Sequence, residues 1–390
     1  MGNVSQQQPY PWSAASATGV GSWPGEEPDE AMRTVVGELP DLPHLTELPA
    51  RGVGADMIGR TAGLLVDLPV EVQPTGWRVA DTPGRDLARA GSFLSYDLDT
   101  LTEHLHAYEG PLKIQLAGPW TLSAAIELRN GQRLVSDPGA RRDLAESHLE
   151  GALAHIDEVR RRVPGAQLIV QIDEPSLPSV LLGSLPTASK LGVLPAVDRV
   201  EVEAVLRTLF DAVTGTGSVP AAHCCAPGVP VDLICRSGAR ALSLDARLLA
   251  QAQDDMIGTA VEAGVGLLLG VVPPTDPPLL PTDPLLAAPG SRSIGASAVA
   301  RSRSRLRTPS RNDPGPAGRP ASALGMSDPA TMVDPVRELW NRLGFSPDLL
   351  SRAVVTTPAC GLAGASPRHA RAALQAARDG ARVLRDEPRK

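Results

Sequence analysis

The amino-acid sequence predicts an α/β fold, a (β/α)8 TIM barrel, and three of its features carry that prediction. Short aliphatic or β-branched runs alternate with longer stretches of helical period, the pattern of a parallel sheet covered by helices. There are eight such runs, the number at which a parallel sheet closes on itself. The residues of chemical character, Ser22, Glu47, Asp173, His223, Asp245 and Cys360, stand at or just after the ends of these runs. Barrel enzymes build their sites on that face. A doubly wound open sheet is the alternative, one miscounted strand away.

Residues 1–16 are polar and rich in Gln, Ser and Pro, and are expected to be a disordered tail. The barrel is expected over 17–390. Its strands are Thr18–Ser22, His44–Leu48, Leu112–Ala117, Gln167–Ile172, Val219–His223, Ala241–Leu244, Val265–Val271 and Ala353–Thr357. Between them, Leu149, Leu153 and Ile156, and then Leu206, Leu209, Phe210 and Val213, recur at helical spacing and mark buried stripes. The rhythm breaks at 277–326. Arg292, Arg301, Arg303, Arg305, Arg307, Arg311 and Arg319 there meet only Asp283 and Asp313, among Pro, Ser and Gly. Such a segment buries too little apolar surface to offset its ordering entropy, so a disordered insertion after the seventh strand is expected. Three readings of it stay open: a solvated insertion, a basic arm for an acidic partner, and out-of-frame translation that ends at Ser327-Asp328-Pro329.

Composition narrows the function. Hydrophobic residues are 42% of the 390, but aromatics only 3%, so Ala, Val and Leu must fill the core. A net charge of -7, with no clustered basic face in the barrel, argues against nucleic acid and anionic membranes as partners. No apolar run approaches the roughly 20 residues of a membrane span. Met1–Pro24 has neither the basic nor the apolar region of a signal peptide. The four cysteines, Cys224, Cys225, Cys235 and Cys360, are too few for a disulfide scaffold. A cytoplasmic protein is the expectation.

The strongest chemical signal is His223-Cys224-Cys225. On an extended backbone His223 and Cys225 point to the same side, and Cys224 to the other. An imidazole and a thiolate side by side make half a zinc site, because Zn²⁺ favours tetrahedral N and S ligands. Asp245 and Cys360 close later strands and are the further candidates. A buried Cys or a satisfied core His is commoner than a metal ligand, and Cys235 fits that plainer description. Three such donors at the same end of three strands are harder to reach by accident. Gln171-Ile172-Asp173-Glu174-Pro175 sets two carboxylates at a strand end, where Asp173 is positioned to hold an ammonium group. An acidic turn explains the pair equally well. Ser22 in Gly21-Ser22-Trp23-Pro24 is positioned to bind a carboxylate, or simply marks a tight turn.

Five motifs occur in a telling order: Gly-Ser-Trp-Pro at 21–24, Ala-Gly-Pro-Trp-Thr-Leu at 117–122, Asp-Glu-Pro at 173–175, His-x-Cys at 223–225 and Cys-Gly-Leu at 360–362. In this order they resemble the catalytic C-terminal barrel of cobalamin-independent methionine synthases, most closely the short single-barrel type, over 17–276 and 327–380. The resemblance implies a zinc-dependent methyltransferase that keeps homocysteine as its thiolate and moves a methyl group to it, usually from 5-methyltetrahydrofolate. It implies His223, Cys225 and Cys360 as zinc ligands, and Asp245 where the family carries a Glu. Ser22 matches the residue at the homocysteine carboxylate, and Asp173 the one at its amino group.

The sequence departs from the family at four places. Asp245 is one methylene shorter than Glu. Gly270–Asp276 lacks the family's proton-donating His, so the proton donor is unidentified. The Gly-Glu segment is replaced by Arg51–Ile58, and Glu47 is the nearby substitute. The length leaves no room for the second barrel of full-length members, so the methyl donor, methylfolate or another, stays open. Two alternative functions follow: a uroporphyrinogen-decarboxylase-like or corrinoid-dependent methyltransferase, and an inactive barrel that binds zinc or an amino acid. The decarboxylases need no zinc and would need arginines at the barrel mouth, where Arg51 is the only obvious one.

Overall fold

The computed structural model describes residues 10–277 and 328–388. Met1–Thr275 and Ser327–Lys390 form one compact unit, and Asp276–Met326 a second. After Pro277 the expected insertion lies outside the described residues, as do residues 1–9 of the expected tail.

The first unit is an α/β barrel. A small antiparallel hairpin, β1 (Val70–Gln73) and β2 (Gly76–Val79), precedes a six-stranded parallel sheet. The sheet runs in chain order as β3 (Pro111–Ala117), β4 (Gln167–Asp173), β5 (Val219–Cys224), β6 (Ala241–Asp245), β7 (Gly266–Val272) and β8 (Val354–Pro358). These six agree with the six later strands read from the sequence. The first two expected strands form no ladder. They close the ring through isolated parallel bridges: Ala17 with Thr356 of β8, Ser22 with Glu47, and His44 with Lys113 of β3. Paired backbone bonds accompany them, Thr18 N to Thr356 O and Leu45 N to Lys113 O among them.

Polar side chains supply what the missing ladders do not. On β3 and β4, alternate residues Lys113, Gln115, Gln171 and Asp173 are buried and face the barrel interior. Lys113 Nζ donates to Val20 O at 2.8 Å, and Gln171 Nε2 to the same carbonyl at 2.9 Å. Gln115 Nε2 donates to Leu45 O at 2.7 Å. Such close approach leaves no room beside the first segment. A Cβ on Gly19 would lie 2.2 Å from His44 Nε2, so only glycine fits there.

The helices start where the sequence provides caps. Asp137 accepts from Ala140 N at the head of helix Pro138–Arg162, Asp198 from Val200 N before Arg199–Gly215, and Ser366 from His369 N before Pro367–Asp386. Each cap satisfies an amide that the helix itself leaves open. The predicted stripe Leu206, Leu209, Phe210 and Val213 is buried, as is Ile156. No helix of the described residues is long and apolar enough to cross a membrane.

Two features differ from expectation. Tyr10–Ser16, assigned to the tail, pack on the barrel: Tyr10 and Trp12 stack at 5.8 Å and are buried, and Trp12 Nε1 donates to Arg352 O. Burying two aromatics outweighs the polar residues around them. The hairpin was not anticipated, because its strands are only four residues each. Buried Val70 and Trp77 pin it over Ala62, Ala117 and Leu122.

A buried charge cluster braces the mouth. Asp97 of helix Arg85–Leu105 pairs with Arg60 of helix Met57–Ala62 and, at 2.8 Å, with Arg51. Arg51 lies over the Phe93 ring, 4.7 Å from its centroid, and Arg60 Nε is 3.9 Å from Glu47 Oε1. Removing Asp97 would strand two buried guanidinium groups. Asp97→Ala is therefore expected to cost about 3–5 kcal/mol, read as a lower urea midpoint; an unchanged midpoint would mean that the two arginines find water instead.

Candidate metal centre

Strand register brings the chemistry to one level. Ala117 of β3 is paired with Asp173 of β4, Asp173 with His223 of β5, and His223 with Ser243 of β6. The parallel ladder thus carries Asp173 and His223 side by side to the carboxyl ends of the strands. Cys225 follows directly after β5, and Cys360 two residues after β8.

His223, Cys225 and Cys360 offer one nitrogen and two sulfurs within 4.8 Å of one another. The sulfurs are 3.3 Å apart. His223 Nδ1 lies 2.9 Å from Ser243 Oγ, which leaves Nε2 as the nitrogen free for a metal and fixes the ring as an outer-shell partner does. His223 is buried and both thiols are half-buried, so the group opens to solvent on the sulfur side. The thiols differ in acidity. Hydrogen bonds from Cys225 and His223 hold the Cys360 thiol down to about 4, whereas its bond to Cys360 and burial push Cys225 up. The close approach of the two sulfurs thus favours the thiolate at Cys360 and the thiol at Cys225, and a divalent cation would favour the thiolate at both. A soft N, S, S donor set with an open side suits Zn²⁺ in a site that keeps a position for substrate. Cys224 is buried on the opposite side, where burial raises its thiol to about 11.

Asp245 is not brought into this group. It ends β6, but its carboxylate turns to Arg247: Oδ1 accepts from Arg247 N and Nε, each at 3.0 Å, and Oδ2 from Nη2 at 2.8 Å. A short carboxylate at a strand end that opens into a 3-10 turn, Ala246–Leu248, caps that turn in place of reaching across the mouth.

The other predicted residues surround the thiols. Ser22 O accepts from Leu362 N at 2.9 Å, and a Cβ on Gly361 would lie 2.0 Å from Ser22 Oγ. Gly361 thus lets the Cys360 loop close against Ser22. Glu47 and Asp173 are buried, and burial raises both carboxyls, Glu47 to about 7; Asp173 adds to the rise at Glu47, and Lys113 eases both. Gln171 Nε2 donates to Asp173 Oδ1 at 2.7 Å. Glu174 turns away from Asp173. It accepts from Trp120 N, Thr121 N and Thr121 Oγ1 at 2.7–3.0 Å and caps helix Pro119–Ala125.

Several residues of the site escaped the sequence reading. Lys113, fully buried and lowered to about 8 by desolvation, is the clearest. Its signal was present as Lys-Ile-Gln-Leu inside an apolar strand, where a period of two puts Lys113 and Gln115 on the inner face. Arg60 gave no such signal, since only the fold sets it against Glu47. After β7, the stretch without a His is met by His369, whose Nε2 lies 3.1 Å from Pro273 O.

Comparisons with known proteins bear on the family of the barrel. The family model of the cobalamin-independent synthase catalytic domain matches residues 15–288, which hold His223, Cys225 and Asp245 but stop short of Cys360. A B12-independent methionine synthase from a Shewanella species, solved in complex with selenomethionine, superposes with a TM-score of 0.58 at 12% identity, over 96% of this chain and 99% of that one. A search of curated proteins finds no match. The five motifs, the barrel and a family match over more than half of the sequence lead to one assignment: the chain belongs to the cobalamin-independent methionine synthase family, as its catalytic barrel.

Proposed function

We propose that the protein is a zinc-dependent methyltransferase that converts homocysteine to methionine, with 5-methyltetrahydrofolate as the first candidate donor. The observation that carries the reading is the cluster of His223, Cys225 and Cys360 beside Asp173. It sets a thiol-activating centre next to an acid that can hold an amino group. The neighbouring structure is a complex with selenomethionine, which has the amino-acid end of the proposed product, and this supports an amino acid at the mouth.

In this reading His223, Cys225 and Cys360 hold the ion. When bound, zinc supplies the charge that keeps a substrate thiol as its thiolate at neutral pH. The residues of the chain then do the rest. Ser22 binds the amino-acid carboxylate, while Asp173 and Glu47 face the ammonium group. Both acids are held toward neutrality by burial, so an ammonium ion returns the charge partner that folding withheld. Fixing both ends of the amino acid aims its sulfur at the incoming methyl group. The S–CH₃ bond forms as the donor's N–CH₃ bond breaks, and the donor nitrogen takes a proton whose source among these residues is unassigned.

The decarboxylase-like alternative finds less support. A tetrapyrrole needs free arginines at the mouth, and Arg51 is committed to Asp97 and Phe93.

Two outcomes are expected. Purified protein binds about one zinc, Cys225→Ser loses it, and homocysteine releases a proton on binding to the loaded protein. Wild type that takes up no zinc even after reconstitution would sink the proposal. Because Glu47 titrates near 7 and only its ionised form pairs with ammonium, KM for homocysteine falls as pH rises through about 7. Glu47→Gln should raise KM and remove that part of the profile while leaving zinc content intact; a profile unchanged in the variant would take Glu47 out of the site.

A further inference from the structure

Asp245 has the position of a fourth ligand but not the freedom of one. Its side chain is 8% exposed, and Arg247 covers both of its oxygens from a side chain that is 49% exposed. The pair is bidentate, with the Arg247 amide adding a third bond to Oδ1. A planar guanidinium matched to both oxygens of a carboxylate is a strong, directional competitor for it. The donors that do converge are one nitrogen and two sulfurs.

We infer that Arg247 is a positioning residue that keeps Asp245 out of the metal's coordination sphere, so that His223, Cys225 and Cys360 are the three protein ligands and the fourth position is reserved for the substrate thiolate. The inference rests on the metal-centre reading above. Its chemical consequence is specific. Where a carboxylate occupies the fourth position, the thiol must displace it before it can bind. With Asp245 held by Arg247, a metal carried by His223, Cys225 and Cys360 would bind a thiol without losing a protein ligand, the thiol's proton going to solvent. Three protein donors would match the catalytic zinc centres, which keep one position open, and not the closed four-ligand structural ones. Arg247 follows Asp245 by only two residues, so the 3-10 turn at Ala246–Leu248 sets up the pair locally.

The test is titration of the full-length protein with Co²⁺, whose thiolate charge-transfer and ligand-field bands count sulfurs and total ligands separately. Wild type and Asp245→Asn should take up one equivalent with the same two-thiolate spectrum. Arg247→Ala frees the carboxylate to ligate. Its ligand-field bands should change, and Co²⁺ affinity should rise by about 10-fold or more, the scale on which outer-shell partners act on metal sites. Added homocysteine should then bind more weakly than to wild type, since it must now displace Asp245. Loss of Co²⁺ in Asp245→Asn equal to that in Cys225→Ser would overturn the inference and make Asp245 a ligand. So would an Arg247→Ala spectrum and affinity identical to wild type. Wild type that binds no Co²⁺ would overturn the metal-centre reading itself, and this inference with it.

Discussion

Val20 offers one carbonyl to two buried donors, the ammonium of Lys113 and the amide of Gln171, and the rest of the site depends on that junction. Residues 17–22 and 44–47 close the barrel with single bridges only, so backbone pairing alone fixes them weakly. Side chains from β3 and β4 make up the difference. The bond from the Lys113 ammonium contributes about 1.5–3 kcal/mol and each neutral amide bond about 0.5–1.5 kcal/mol, together enough to hold a segment that has no ladder. What is held carries the proposed contacts: Val20 stands two residues before Ser22, and Leu45, gripped by Gln115, two before Glu47. The polar interior is part of the closure.

The same interior sets the electrostatics of the mouth. Desolvation lowers Lys113 and raises Glu47 and Asp173, which are opposite shifts with a single cause: charge is costly inside the barrel. The three groups partly compensate one another, and Arg60, anchored by Asp97, adds its field at Glu47. In the proposed function, a ligand with an ammonium group and a carboxylate would bring one charge of each sign to these groups. Beside them the sulfurs of Cys225 and Cys360 lie 3.3 Å apart, an arrangement that a cation would stabilise.

Much of this was legible in the sequence. Six of the eight expected strands are ladder strands, since aliphatic runs bounded by capped helices leave little ambiguity. His223-x-Cys225 was legible because a period of two is local geometry, and Cys360 because it follows closely on a strand end. The hairpin at 70–79 and the packing of Tyr10 and Trp12 were not, as both rest on distant apolar partners. Asp245 shows the limit most sharply. Its place at a strand end was read correctly from the chain, yet its carboxylate goes to Arg247, two residues away and in plain view. Residue spacing says which groups are near; only backbone direction after the strand says which of them meet.

The sequence by itself determined the strand–helix order, the residue types at the mouth and the family, because periodicity, caps and short motifs are local and survive without tertiary context. The tertiary structure alone decided which donors converge, how the barrel closes and which charges are shared. Those depend on distances between residues far apart in the chain, such as the 135 positions between Cys225 and Cys360, and on a desolvation that exists only once the barrel is shut.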